Sequence, residues 1–325
     1  MLDQADIKPS VCRTLVFKWH KRFSDGWTSV EDDPGRGRKT IIEENLILRV
    51  KNVIESDRRH TVQEISAVVG ISTGTVHTIL TEHLNMCRVS ARWIPRLLSV
   101  NDKAKRVRLS RNFLRRHASE GDSFINKIIT TDETWLFYFD PETKQQSSAW
   151  KRKSSPPPQK AKLRQSSRKN MFIFFMDIQG MLLIHAVPAH QTVNADYYSK
   201  VIRRDLLHAV RKKRPGTNLA EMILHQDNAP AHRAETTILE LDLLGLERVE
   251  HAPYSPDLAP MDFKVFPTVK SQLRGRKFDN IDELKYATRS IVSKLDKKWY
   301  RDVYDEWIRR HKLCIKHKGE FFEKM

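Results

Sequence analysis

At 325 residues, with 58 lysines and arginines against 40 acids and a net charge of +18, the chain has room for two domains and favours a polyanionic partner, either nucleic acid or an acidic membrane surface. No apolar run reaches the roughly 18 residues of a membrane span. The richest, Met171 to Val187, is broken by Asp177, Gln179 and Gly180, and the N-terminus shows no basic-then-apolar leader. Cys12, Cys87 and Cys314 lie far apart and are odd in number, which argues against a disulfide framework or a metal-ligand spacing and for a reducing compartment.

Residues 11–23 place Val16, Trp19 and Phe23 at helical spacing. After Gly26 comes Gly35-Arg36-Gly37-Arg38-Lys39, where Arg36 and Arg38 on a flexible backbone suit a narrow minor groove; a solvated linker is the competing reading. Thr61 and Glu64 form a capping box before Ile65 and Val69. Gly70 turns the chain, and Ser72 caps a second helix whose Val76 and Ile79 point inward. This is a helix-turn-helix pattern, although ordinary helical hairpins share it. Ser72, Thr73, Thr75 and His77 are then short polar candidates for DNA contact in the major groove.

Pro95 forbids a continuous helix through 88–99. The helix expected over about 101–120 has no acid from 103 to 116, so Arg106 and Arg108 are candidates for phosphate contact, with a plain exposed helix as the alternative. Strand character begins at Phe124 and runs to Phe139. Residues 151–170 form a basic loop containing Pro156-Pro157-Pro158, and Met171–Asp177 with Met181–Val187 form a β-hairpin. Helix is expected over 193–213, a short buried strand over 222–226, helix over 236–244 and strand over 249–252. Helix is expected again over 261–273 and 281–322. Arg211-Lys212-Lys213-Arg214-Pro215 fits either a nuclear import signal or a solvated helix end. The alternation of strands and helices suits an α/β domain with a central mixed sheet.

Three aspartates carry the chemistry. Asp132 and Asp227 end apolar runs, and Asp262 opens a helix, with 34 residues between it and Asp227. Singly, each has a bland reading as a turn or helix-start acid. Jointly, carboxylates that converge need a cation between them, and hard oxygen donors left partly open suit Mg²⁺ or Mn²⁺ in a two-metal phosphodiester site. His225 and His232 flank Asp227 and read as supporting residues in preference to ligands. Glu133 is expected on the opposite sheet face from Asp132, and Asp257 lies outside the helix that carries Asp262.

The Asp…Asp-34-Asp spacing, together with Pro253-Tyr254-Ser255-Pro256-Asp257-Leu258-Ala259-Pro260 and Trp93-Ile94-Pro95-Arg96-Leu97-Leu98, closely resembles the mariner transposases. The resemblance runs from about Val16 to the C-terminus. It implies a ribonuclease-H-like catalytic domain preceded by an all-α helix-turn-helix region. The expected segments are 1–34, the remnant of a first helix-turn-helix; 35–45, a basic linker; 46–87, the second helix-turn-helix; 88–122, linker and basic helix; and 123–325, the catalytic domain with its basic loop 140–170. By resemblance, Asp132, Asp227 and Asp262 are the catalytic and metal-binding acids for two Mg²⁺ or Mn²⁺ ions. Arg92, Trp93 and Pro95 belong to a linker motif serving dimerisation.

The implied activity is binding of terminal inverted repeats, cutting and rejoining of DNA, and insertion at TA, by a nuclear homodimer without membrane association. The family carries two helix-turn-helix units, and the earlier helices of the first do not precede 10–23 here, so a truncated gene model or a decaying copy is expected. Some relatives are fused to a methyltransferase domain; no room for one is expected in this chain. The competing readings are a catalytically idle DNA-binding descendant and, ranked last, a ribonuclease acting on RNA–DNA hybrid.

Overall fold

The computed structural model describes residues 12–31, 42–91 and 93–323. Two compact units divide the chain, Met1–Arg92 and Trp93–Met325. In the first, α1 (Arg13–Ser24) buries no residue. A separate trio follows: α2 (Glu44–Ser56), α3 (Val62–Val69) and α4 (Thr73–Thr78), the last continuing as a π-helical turn over Ile79–His83. The capping box forms as the sequence demands, with Thr61 Oγ1 accepting from Glu64 N at 3.2 Å and Glu64 Oε2 accepting from Thr61 N at 2.6 Å. Gly70 stops α3 at φ 77°, a conformation that favours glycine. Val50, Ile54, Ile65, Val69, Val76 and Ile79 close one small core, which fixes the angle between α3 and α4.

The second unit is a five-stranded sheet in the order β3-β2-β1-β4-β5. Its strands are β1 (Ile128–Phe137), β2 (Lys169–Asp177), β3 (Gly180–Ala186), β4 (Ile223–His225) and β5 (Glu247–Val249). β1 runs antiparallel to β2 and parallel to β4. Alternation sorts the side chains: Ile128, Leu136, Phe172, Phe174 and Met176 face one core, while Ile129, Ile173 and Phe175 face the other. The first face is covered by α5 (Val100–Glu120), α11 (Phe266–Leu273), α12 (Ile281–Ser293) and α13 (Lys297–Lys316). The second is covered by α7 (Ala195–Lys200), a π-helical stretch Val201–Leu206, α8 (Leu207–Lys213) and α10 (Glu235–Leu243).

Four expectations are corrected. Residues 124–127 are not strand but the end of α6 (Asp122–Lys127), because Phe124 and Ile125 turn back into the core before β1 begins. The last strand sits at 247–249 instead of 249–252, paired in parallel with β4. The long C-terminal helix is broken at 294–296, where the Asp296 side chain caps α13 by accepting from Trp299 N at 2.8 Å. The fourth concerns Arg106 and belongs with the site.

Candidate active site

Strand register brings the first two aspartates together. Thr130 is paired with His225 across the parallel β1–β4 ladder. Two residues further along each chain, Asp132 and Asp227 therefore stand level and on the same face. Asp262 arrives from beyond the sheet on a π-helical turn, Met261–Val265, in which Phe266 N–H donates to the Met261 carbonyl. Such single widened turns recur at functional sites.

Asp132 and Asp262 are hydrogen-bonded to each other. Burial, then the charges of Asp262 and Glu133, push the Asp132 carboxyl up to about 9. Burial also lifts Asp262, to about 6, although the hydrogen bond from Asp132 and the nearby Lys270 pull the other way. Two carboxyls held this way resist ionising together unless a cation stands beside them. Asp227 is fixed differently. Its Oδ1 accepts from Ala229 N at 2.8 Å and from His232 Nδ1 at 2.7 Å. Burial opposes its ionisation, yet these bonds hold it below the usual carboxylate range.

His232 reaches further. Its Nε2 lies 3.1 Å from Glu133 Oε1, so one buried imidazole bridges Glu133 and Asp227. Burial disfavours its charge, but the two carboxylates win and raise it to about 10. Glu133 does leave β1 on the face opposite Asp132, as alternation requires. Sequence reasoning set it aside as a neighbour; the histidine wrapping round the strand end joins it to the site. His225, by contrast, is a neutral core residue. It bonds to Thr130 Oγ1 at 3.0 Å and His251 Nδ1 at 3.1 Å, and burial drives its pKa well down.

Two open clefts meet at Asp262. One, of about 740 Å³, also carries Asp227. The other, of about 640 Å³, also carries Glu133, Trp135 and Lys270. Among the described residues no group of three or more His, Cys, Asp or Glu side chains is already gathered to hold a metal ion. The donor set instead comprises a carboxyl pair plus a third carboxylate whose Oδ2 makes no hydrogen bond among the described residues. An open all-oxygen set of this kind fits Mg²⁺ or Mn²⁺, which keep waters and take phosphate oxygens as further ligands.

The remaining sequence candidates divide. Ser72, Thr73 and His77 are exposed at the start and along the outer face of α4. Ser72 Oγ is already engaged, accepting from Thr75 N at 3.1 Å and sitting 2.8 Å from Thr75 Oγ1. Arg108 is exposed. Arg106 is not a phosphate contact: it is wholly buried and grips Asp257 with both terminal nitrogens at 2.8 and 2.6 Å. It also donates to Ser255 Oγ at 2.6 Å and to the Gly319 carbonyl at 2.9 Å. Trp93 and Pro95 are exposed, and the Arg96 guanidinium of the same motif lies 4.0 Å over the Tyr254 ring, joining the two signature segments. Arg36, Arg38 and Arg92 lie outside the described residues.

A mixed sheet with one acid on its central strand, a second just beyond the neighbouring strand and a third on a following helical turn is the ribonuclease-H-like arrangement. The same fold occurs in the Mos1 mariner paired-end complex with Mn, with a TM-score of 0.75 and 25% identity over 99% of this chain and 92% of that one. The catalytic domain of Mos1 mariner transposase alone gives a TM-score of 0.58 and 26% identity over 71% of this chain and 100% of that one. The family described as "Transposase (partial DDE domain)" matches residues 140–219, a stretch that contains none of the three aspartates.

The Mariner Mos1 transposase of Drosophila mauritiana is 26% identical over 309 residues, 94% of this chain and 86% of that protein. The human histone-lysine N-methyltransferase SETMAR is 26% identical over 305 residues, 94% of this chain but only 43% of SETMAR. Over most of its length the chain is similar in sequence and fold to mariner transposases.

Proposed function

We propose that this chain is a metal-dependent DNA transposase and endonuclease, acting as a homodimer on the inverted repeats at transposon ends and inserting at TA dinucleotides in nuclear DNA. The observation that carries the reading is the half-buried Asp132–Asp262 pair, with Asp132 standing level with Asp227 and Asp262 lining clefts on both sides. Proteins of similar sequence and fold form paired-end complexes on transposon DNA, which supports DNA ends as substrate and a dimer as the working unit.

Asp132, Asp227 and Asp262 would hold two Mg²⁺ or Mn²⁺ ions, whose charge lowers the pKa of an attacking water or 3′-hydroxyl and stabilises the leaving oxygen. The protein's own part is positional. His232 and the Ala229 amide fix the rotamer of Asp227, so that its free oxygen faces the cleft. The widened turn at 261–265 sets Asp262 against Asp132. Lys270 adds positive charge beside the acids, where a phosphate would pass. The attacking oxygen forms its bond to phosphorus in line with the bond that breaks, and the departing oxygen takes up a proton; no covalent protein–DNA intermediate is needed.

The alternative, an idle DNA-binding descendant, draws on the helix-turn-helix unit, which has a core of its own. One experiment separates the two. Supercoiled plasmid is incubated with wild type and Asp227→Ala in Mg²⁺ or Mn²⁺. Metal-dependent nicking by wild type, lost by at least a hundredfold in the variant, is expected from an electrostatic role worth about 3 kcal/mol or more. Equal nicking by both proteins, or DNA binding without any nicking, rejects the catalytic reading.

A further inference from the structure

β3 is an edge strand, and an open groove of about 1010 Å³ runs along it. Its floor is β3 from Gly180 to Ile184. One wall is built by Arg204, Lys212 and Lys213, the other by Arg289 and Lys297. Asp205 is the acid among its described lining residues, and it is engaged by Arg204 Nε at 2.8 Å. Lys212, Arg289 and Lys297 have no acid within ion-pair distance among the described residues.

The basic wall is anchored. Lys213 Nζ donates to the Met181 carbonyl at 2.8 Å. Arg214 clasps Asp177 through two contacts of 2.7 Å, while Asp177 Oδ1 closes the β2–β3 turn by accepting from Gln179 N and Gly180 N at 2.9 Å. The run 211–215, which as sequence fits an import signal or a solvated helix end, is thus tied to the sheet at two of its members. Burial, then the charges of Arg214 and Arg289, depress the Lys213 ammonium below the usual lysine range, although Asp177 pulls the other way. Like charges gathered at a partly buried place are costly unless an anion joins them.

We propose that this groove is a second DNA site, seating the phosphate backbone of a duplex on the β3 edge, two strands away from the acid-bearing β1. It rests on the reading that the chain handles DNA, and it adds a surface separate from the carboxylate clefts. An extended acidic peptide pairing with the sheet edge is disfavoured, because Lys213 already occupies the Met181 carbonyl that such a strand would use. Charges on long side chains along two walls suit phosphates spaced along a backbone.

The test compares K212E/R289E, one reversal on each wall, with K312E/K316E, a matched pair of exposed lysines on α13. Binding of a random-sequence duplex by the full chain is followed as salt is raised. Each lost phosphate contact lowers the slope of log affinity against log salt by about 0.9. The groove pair is expected to lose about 2 in slope, with the α13 pair at the wild-type slope. Equal loss in both pairs, or none in the groove pair, overturns the proposal while leaving the DNA reading intact. A wild-type chain that binds no duplex sinks both. A groove pair that keeps its duplex slope but no longer binds poly-L-glutamate would reassign the groove to an acidic peptide and overturn the DNA assignment.

Discussion

His232 shows how one side chain can tie a sheet to the loop that follows it. Its ring spans Glu133 on β1 and Asp227 after β4, buried from solvent and with both nitrogens engaged. In the charged form both nitrogens donate, which is the only state that satisfies two carboxylates at once. The raised pKa has a direct consequence for stability. A histidine lifted from 6.5 to about 10 stabilises the fold fully below pH 6.5, and that contribution is lost as pH rises through about 10. His232→Gln keeps a donor but cannot hold a charge. In urea unfolding between pH 6 and pH 10, wild type is expected to lose on the order of a few kcal/mol more than the variant. Asp132, also raised, leans the same way in both proteins, so the difference isolates His232. Parallel pH profiles would mean that the imidazole is neutral and merely fills space.

At the scale of elements, α5 carries the sharpest lesson. Counting signs along 101–120 gives a basic helix, yet helical phase divides its basic residues between two roles. Arg106, Leu109, Ser110 and Phe113 are the buried residues of α5, spaced three and four apart on one stripe. Arg106 therefore points inward, and the apolar stripe was the available signal. Removing it leaves Asp257 as an unpaired buried charge, so Arg106→Ala is expected to cost about 3–5 kcal/mol in urea unfolding. Arg108→Ala, at an exposed position, should cost under about 0.5 kcal/mol. A loss below about 1 kcal/mol for Arg106→Ala would show that water reaches the pair.

Elements whose signals are local were legible: the Thr61 cap, the Gly70 stop and the alternating β2–β3 hairpin. The π-helical turns at 201–206 and 261–265 left no trace in periodicity, because they come from packing against the sheet and not from composition. Asp132 and Asp227 were visible as acids closing apolar runs, although Asp132 lies midway along β1 and not at a strand end. The raised Asp132 carboxyl and the Glu133–His232 bridge depend on burial and on contacts about a hundred residues apart, which no spacing encodes.

Over the whole molecule, each unit has its own core. The helix-turn-helix unit rests on six buried apolar residues, and the larger unit on two clusters either side of one sheet. The charge of +18 follows the same economy: basic residues crowd onto the β3 groove and the exposed side of α5, while Asp132 and Asp262 are half-buried and Asp227 is exposed at its cleft. This division gives the molecule a surface that attracts phosphates and a carboxylate cleft that repels them unless a cation is present. The central claim is that Asp132, Asp227 and Asp262 bind metal as one site. Iron(II) can replace Mg²⁺ at such oxygen sites and, with ascorbate and peroxide, cuts the backbone beside itself. Mass spectrometry of the fragments is predicted to show scission near residues 132, 227 and 262, suppressed by Mn²⁺ and lost in Asp132→Asn. Scission elsewhere in the chain, or a pattern unchanged by that substitution, would contradict the account.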